Sequence, residues 1–274
     1  MTAPLGLAAL TVLDIAPLQH VELAEQHGFD TIGLRLLPAA PGTIAYPLHE
    51  DPVALDTLIR RLDDSPVDVF DLEIIRIGED FDAAAYVPML EAGARLGTRA
   101  VLVGGDDPDR GRLTDSYAAL AQLCAQYGLV ASLEFMPWTA VPDAKAAVEI
   151  VSQADGPARS VLVDALHVGR STTSLDDLAA IPREWLHYAQ MCDGSVPAPT
   201  DDAELIRHAR EERLVPGTGG IDLPAIWATL PEHLPVSIEL PNEALRRAAG
   251  TGPWLDRLAA ATRNVLSAVP SACH

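Results

Sequence analysis

Short apolar runs alternate with amphipathic stretches along the whole chain, and each pair reads as a strand followed by a helix. The first strand is placed over residues 5–13 and a helix over 17–27, stopped at Gly28. The second strand covers 31–37, and a loop rich in Pro and Gly, 38–51, follows over the same end of the sheet. Helical spacing over 52–64 leads to a third strand, 67–77, which carries Asp71, Glu73 and Arg76. A helix over 83–96 ends at Gly97, a fourth strand spans 99–103, and the polar loop GGDDPDRGR begins at Gly104. The helix over 113–127 stops at Gly128 before the fifth strand, LVASLEF. An Ala-rich helix runs from Pro142 to about Gln153, the sixth strand spans 160–165, and 176–180 is a short helical piece. The seventh strand covers 185–191. A long excursion over 193–222 holds a helical 203–213 and the turn VPGTGG. A helix over 223–230, an eighth strand over 235–240 and an amphipathic helix over 254–269 complete the chain.

Eight strand–helix alternations, with strands short and apolar enough to be buried on both faces, predict an α/β fold: a single-domain (β/α)8 TIM barrel over residues 1–274. A doubly wound open sheet is the alternative. It would place a GxGxxG fingerprint after the first strand, whereas the Gly-rich GTGG comes late and follows a helix.

The composition narrows the partners. With 19 Lys and Arg against 39 Asp and Glu the formal net charge is -20, which disfavours nucleic acid and anionic membranes and is met most simply as a solubilising surface. A small-molecule substrate is expected, and the sequence leaves a homo-oligomer open. Cys124, Cys192 and Cys273 lie far apart without the spacing of a zinc site or a disulfide framework, which suits a reducing cytoplasm. The first residues lack a basic leader and soon meet Asp14, so they read as a strand and not as a signal peptide. No apolar run approaches the ~18 residues that suggest a membrane span.

Against this background the ends of the last four strands stand out. Glu134, Asp164, Gln190 and Glu239 each close an apolar run where an ionised or polar group is costly without a partner. In a barrel such positions gather at the C-terminal mouth, where three carboxylates would repel one another unless a cation neutralised them. Oxygen ligands favour manganese or magnesium, with zinc or cobalt as alternatives. His167, three residues past Asp164, is placed to orient a substrate hydroxyl or move a proton, with Arg170 behind it. Arg35, Arg76, Arg210 and Arg213 are candidates to hold a substrate carboxylate or phosphate, with surface or ion-pair roles as the plainer readings. Trp138 could wall a sugar pocket, although core packing explains most such aromatics. The acids of GGDDPDRGR lack the EF-hand spacing and read as a solvated turn.

At LEFMPW, VDALHVGRS, QMCDG, RLVPGTGGIDL and SIELP the chain resembles the xylose-isomerase-like barrel superfamily, the sugar phosphate isomerase/epimerase group. The resemblance implies that Glu134, Asp164, Gln190 and Glu239 bind a divalent metal, commonly manganese or magnesium. It also implies that the two glutamates form the acid/base pair of an epimerase. Gln190, where the epimerases more often have His, is similar to the 3-dehydroshikimate dehydratase branch; Met136 stands where many members carry a His. The expected activity is proton abstraction alpha to the carbonyl of a small polyhydroxylated compound through a metal-stabilised enediolate. Reprotonation gives isomerisation or epimerisation, and loss of a beta-hydroxyl gives dehydration. A barrel that binds sugar without catalysis is the reading from a different class.

Overall fold

Eight parallel strands pair in chain order and close on themselves in the computed structural model, which describes residues 3–269. They are β1 (Leu5–Leu7), β2 (Thr31–Arg35), β3 (Asp68–Ile77), β4 (Ala100–Gly105), β5 (Val130–Glu134), β6 (Arg159–Asp164), β7 (Ala189–Met191) and β8 (Val236–Ile238), and β8 returns to β1. Around them run α1 (Pro17–Gln26), α2 (Pro52–Asp63), α3 (Val87–Arg95), α4 (Arg110–Gln126), α5 (Ala144–Ser152) and α6 (Ala165–Val168). They are followed by α7 (Leu175–Ala179), α8 (Asp202–Glu211), α9 (Leu223–Thr229), α10 (Glu243–Ala249) and α11 (Thr251–Ala268). The single TIM-barrel domain is therefore present.

The helix starts explain how the loops on the C-terminal side are tied down. Asp51, Asp109, Asp143, Asp201 and Asp222 each cap a helix by accepting backbone N–H bonds, and Ser174 with Asp177 forms a capping box on α7. At the other ends, Gly28, Gly97 and Gly128 take positive φ just past α1, α3 and α4, as their helix-stop reading requires. The 38–51 loop returns to the mouth, where Tyr46 N donates to Arg35 O at 2.8 Å.

Side-chain alternation splits the core in two. Val101, Val103, Leu133, Val161, Val163, Ala189 and Met191 belong to the main layer between sheet and helices. The intervening Ala100, Leu102, Leu162 and Tyr188 join Phe70 and Ile74 in a separate cluster inside the barrel.

Three expectations need correction. The first strand stops at Leu7, and a 3-10 turn, Ala9–Val12, takes the rest of its apolar run. This turn is fixed from far along the chain: Thr11 Oγ1 donates to Ile238 O at 2.7 Å and accepts from Leu240 N at 2.8 Å. The seventh strand is likewise cut to Ala189–Met191, with Arg183–Trp185 forming a 3-10 turn. The GGDDPDRGR segment is not a solvated turn throughout, because Gly104 and Gly105 end β4, Arg110 starts α4, and Asp107 is buried, bonded by Arg112 Nε and Nη2 at 2.6 Å each. Among the described residues Cys124 and Cys192 are buried free thiols, while Cys273 lies outside them. No described helix is long and apolar enough to cross a membrane.

Candidate active site

Glu134, Asp164, Gln190 and Glu239 all face the barrel interior, because the residues on either side of each one belong to the outer core. All are 4% exposed or less. Asp164 and Gln190 are paired neighbours across β6 and β7, and Gln190 Nε2 donates to Glu239 Oε1 at 3.1 Å. Glu134 stands apart from these bonds: its Oε1 is buried without a hydrogen-bond partner, and the nearest base, His167 Nε2, is 3.5 Å away. Ligand atoms of Glu134, Asp164 and His167 lie within 4.8 Å of one another, close enough to share one cation.

Arg213 is the counterweight. It lies two residues past α8 and donates from Nη1 to Asp164 Oδ2 at 2.5 Å and to Glu239 O at 3.1 Å, while Nη2 meets Glu239 Oε2 at 2.7 Å. Asp193 secures the segment that follows: its carboxylate accepts from the backbone N–H groups of Gly194, Gly217, Gly219 and Ile221. Asp193 and Leu214 also exchange backbone hydrogen bonds at 2.8 Å in each direction.

Burial and charge set the proton affinities. Burial, then repulsion from Glu239 and Asp164, pushes Glu134 well above the ordinary carboxylate range. Burial raises Glu239 to about 8 even against the Arg213 charge. For Asp164 the burial penalty is outweighed by Arg213, His167 and the Leu166 N–H, which hold it below its usual value. Burial lowers His167 to about 4, so its ring is neutral near pH 7. The ring is steadied by an edge-on contact with Trp138, centroids 5.2 Å apart.

Strand β3 contributes two acids that the sequence reading left outside the site. Asp71 and Glu73 are fully buried, and each has one carboxylate oxygen without a partner. Tyr188 OH donates to Asp71 Oδ2 at 3.4 Å, and burial together with Glu73 and Glu239 raises the Asp71 pKa well above normal. Their spacing of two along a strand, DLE, is the signal that would have found them. The interior thus gathers Asp71, Glu73, Glu134, Asp164 and Glu239, while Arg35 and Arg213 are the buried guanidinium groups paired with members of this set. An excess of buried carboxyl groups, with Glu134 Oε1 and Gln190 Oε1 lacking partners, fits a divalent cation held by oxygen atoms.

The remaining candidates are distributed unevenly. Arg35 is paired with Glu73, at 3.1 Å from Nε and 2.5 Å from Nη2. Arg76 is paired with Asp106, with Nε at 2.5 Å. Arg210 is on the exposed face of α8 and forms no ion pair with the described residues. Arg170 is half-buried just past α6, and Met136 packs its methyl group over Gly104.

The sequence model of the family described as xylose isomerase-like TIM barrel matches residues 21–263. A crystal structure of an IolI protein with a bound zinc atom superposes with a TM-score of 0.77 at 21% identity, covering 98% of this chain and 99% of that one. D-psicose 3-epimerase from Clostridium cellulolyticum H10, solved with D-tagatose, gives 0.75 at 14%, covering 98% and 100%. The probable 3-DHS dehydratase AsbF of Bacillus anthracis gives 0.71 at 15%, covering 93% and 98%. At these identities the structural likeness concerns the fold. No curated protein sequence matches the chain.

Proposed function

We propose that this chain, which belongs to the xylose isomerase-like TIM barrel family, is a divalent-metal-dependent isomerase or epimerase of a small polyhydroxylated carbonyl compound. The observation that carries the reading is Glu134 Oε1, a buried carboxylate oxygen without a hydrogen-bond partner in an interior already rich in acids. Glu134, Asp164, Gln190 and Glu239 would hold the ion, with manganese or magnesium favoured by their oxygen atoms. A bound divalent cation would neutralise the carboxylates and polarise the substrate's carbonyl and hydroxyl oxygens.

The protein's own groups divide the proton work. Glu239, positioned by Arg213 and Gln190, serves as the base that takes the proton alpha to the carbonyl. Glu134, at the end of β5 and apart from the Arg213 bonds, returns a proton from its own side. Neutral His167, 3.5 Å from Glu134, orients a substrate hydroxyl or passes a proton to that acid.

A second reading, dehydration of the 3-dehydroshikimate type, is favoured by Gln190 at the third rim position and by the fold shared with the probable dehydratase. The two share the first proton abstraction and differ in what leaves. Incubating the manganese-loaded protein with a panel of ketoses, and separately with 3-dehydroshikimate, tests both. Interconversion of a ketose supports the first reading. A rising aromatic ultraviolet band without sugar interconversion supports the second, and neither change would leave a barrel that only binds.

A further inference from the structure

We infer that Arg170 anchors an anionic group of the substrate, so that the compound processed here is an acid or a phosphate ester and not a neutral sugar. The inference rests on the proposed function in placing the substrate over Glu134 and Glu239. The anion needs a guanidinium at the mouth that is free of a carboxylate, and Arg210, though unpaired among the described residues, lies on the exposed face of α8. Arg35, Arg76 and Arg213 already face Glu73, Asp106, and Asp164 with Glu239. A guanidinium already paired with a carboxylate offers an incoming anion little attraction, since the partner acid repels it.

Arg170 differs in every respect that matters. It has no carboxylate partner among the described residues: Nη2 donates to the backbone Ser195 O at 2.8 Å, and Nη1 reaches Gly169 O only at 3.5 Å. Its Nε is buried with no partner among the described residues. The nearby acid Asp193 adds its field but has both oxygens engaged by backbone N–H groups. The guanidinium lies against Gly194, where an added Cβ would come within 2.5 Å of Nη2, so the absence of a side chain there makes the niche.

Its location is suited to the task. Arg170 follows β6 and α6 on the catalytic face, and its backbone N donates to His167 O at 3.3 Å. In a chain of net charge -20 an anionic substrate gains little from long-range attraction and needs a local, unneutralised cation. The planar fork of arginine offers parallel N–H donors to either a carboxylate or a phosphate.

The test is calorimetric titration with three unreactive polyols: sorbitol, gluconate and sorbitol 6-phosphate, each with and without manganese. We expect at least one anionic probe to bind the wild-type protein tenfold or more tightly than sorbitol. Arg170→Gln should abolish that preference while leaving sorbitol and manganese binding unchanged, and Arg170→Lys should keep part of it. The member of the pair that carries the preference identifies carboxylate or phosphate. An anion preference that survives in Arg170→Gln, or no preference over sorbitol in the wild type, overturns the inference. Failure to bind manganese would instead contradict the metal-dependent reading, and Arg170-dependent anion binding would then stand by itself.

Discussion

Arg213 Nη1 donates to Asp164 Oδ2 at 2.5 Å, although Arg213 lies in the excursion after β7 and Asp164 ends β6. Through its other nitrogen the same guanidinium holds Glu239. One buried cation therefore joins two of the carboxylates expected to share a metal, and leaves Glu134 as the acid with the strongest need for another positive charge or a proton.

Replacing Arg213 with Leu should destabilise the metal-free protein by about 3–5 kcal/mol, because Asp164 and Glu239 would remain buried without their partner. Added manganese should recover part of that loss by supplying positive charge. Urea unfolding of both proteins, with and without manganese, checks this; equal stabilities in the absence of metal would contradict the role given to Arg213.

Asp193→Ala should cost about 3 kcal/mol, since it removes charge-assisted bonds to four backbone N–H groups of the 194–221 segment. Hydrogen exchange should accelerate first at Gly217 and Gly219. Unchanged protection at those amides would show that the turn is held by other contacts.

Much of this arrangement was legible in the sequence. The strand ends at Glu134 and Asp164, and Gln190 one residue before the end of β7, could be read because an acid or amide closing an apolar run is conspicuous at single-residue resolution. The function of Arg213 was not, because its partners are 49 and 26 residues away in sequence and nothing local announces them. It looked like a substrate handle and is an internal counterion. Asp71 and Glu73 escaped for a related reason: β3 is 10 residues long, so its acids did not mark a strand end. The shortened β1 reflects a contact between Thr11 and Ile238, which an apolar run such as LAALTVL does not encode.

His20 provides a pH signature away from the site. It is buried in α1 with Nε2 unpartnered, and burial lowers its pKa from 6.5 to about 4. The unfolded chain binds the proton more readily, so the contribution is fully present above pH 6.5 and is lost as pH falls toward about 4. The loss amounts to roughly 3 kcal/mol over that window. Stability measured against pH should be less steep for His20→Leu than for the wild type; parallel curves would refute the assignment.

His167→Gln should retain manganese while turnover falls by about 10²–10⁴, the usual contribution of a positioned acid or base. Metal content and kcat measured on the same sample separate this role from that of a ligand. Loss of metal in proportion to activity would make His167 a ligand beside Glu134 and Asp164, which its position within their 4.8 Å cluster also allows.

Glu239 and Glu134 are proposed to remove and return a proton next to a carbonyl. The most direct test is to incubate the manganese-loaded protein in deuterium oxide with a panel of ketoses and cyclic ketones that includes phosphorylated and carboxylated members. Mass and proton spectra then report exchange. Deuterium is expected at the carbon alpha to the carbonyl of at least one compound, and is expected to be lost in Glu239→Gln. No deuterium in any member of the panel, from protein shown to carry its metal, would contradict this proton transfer.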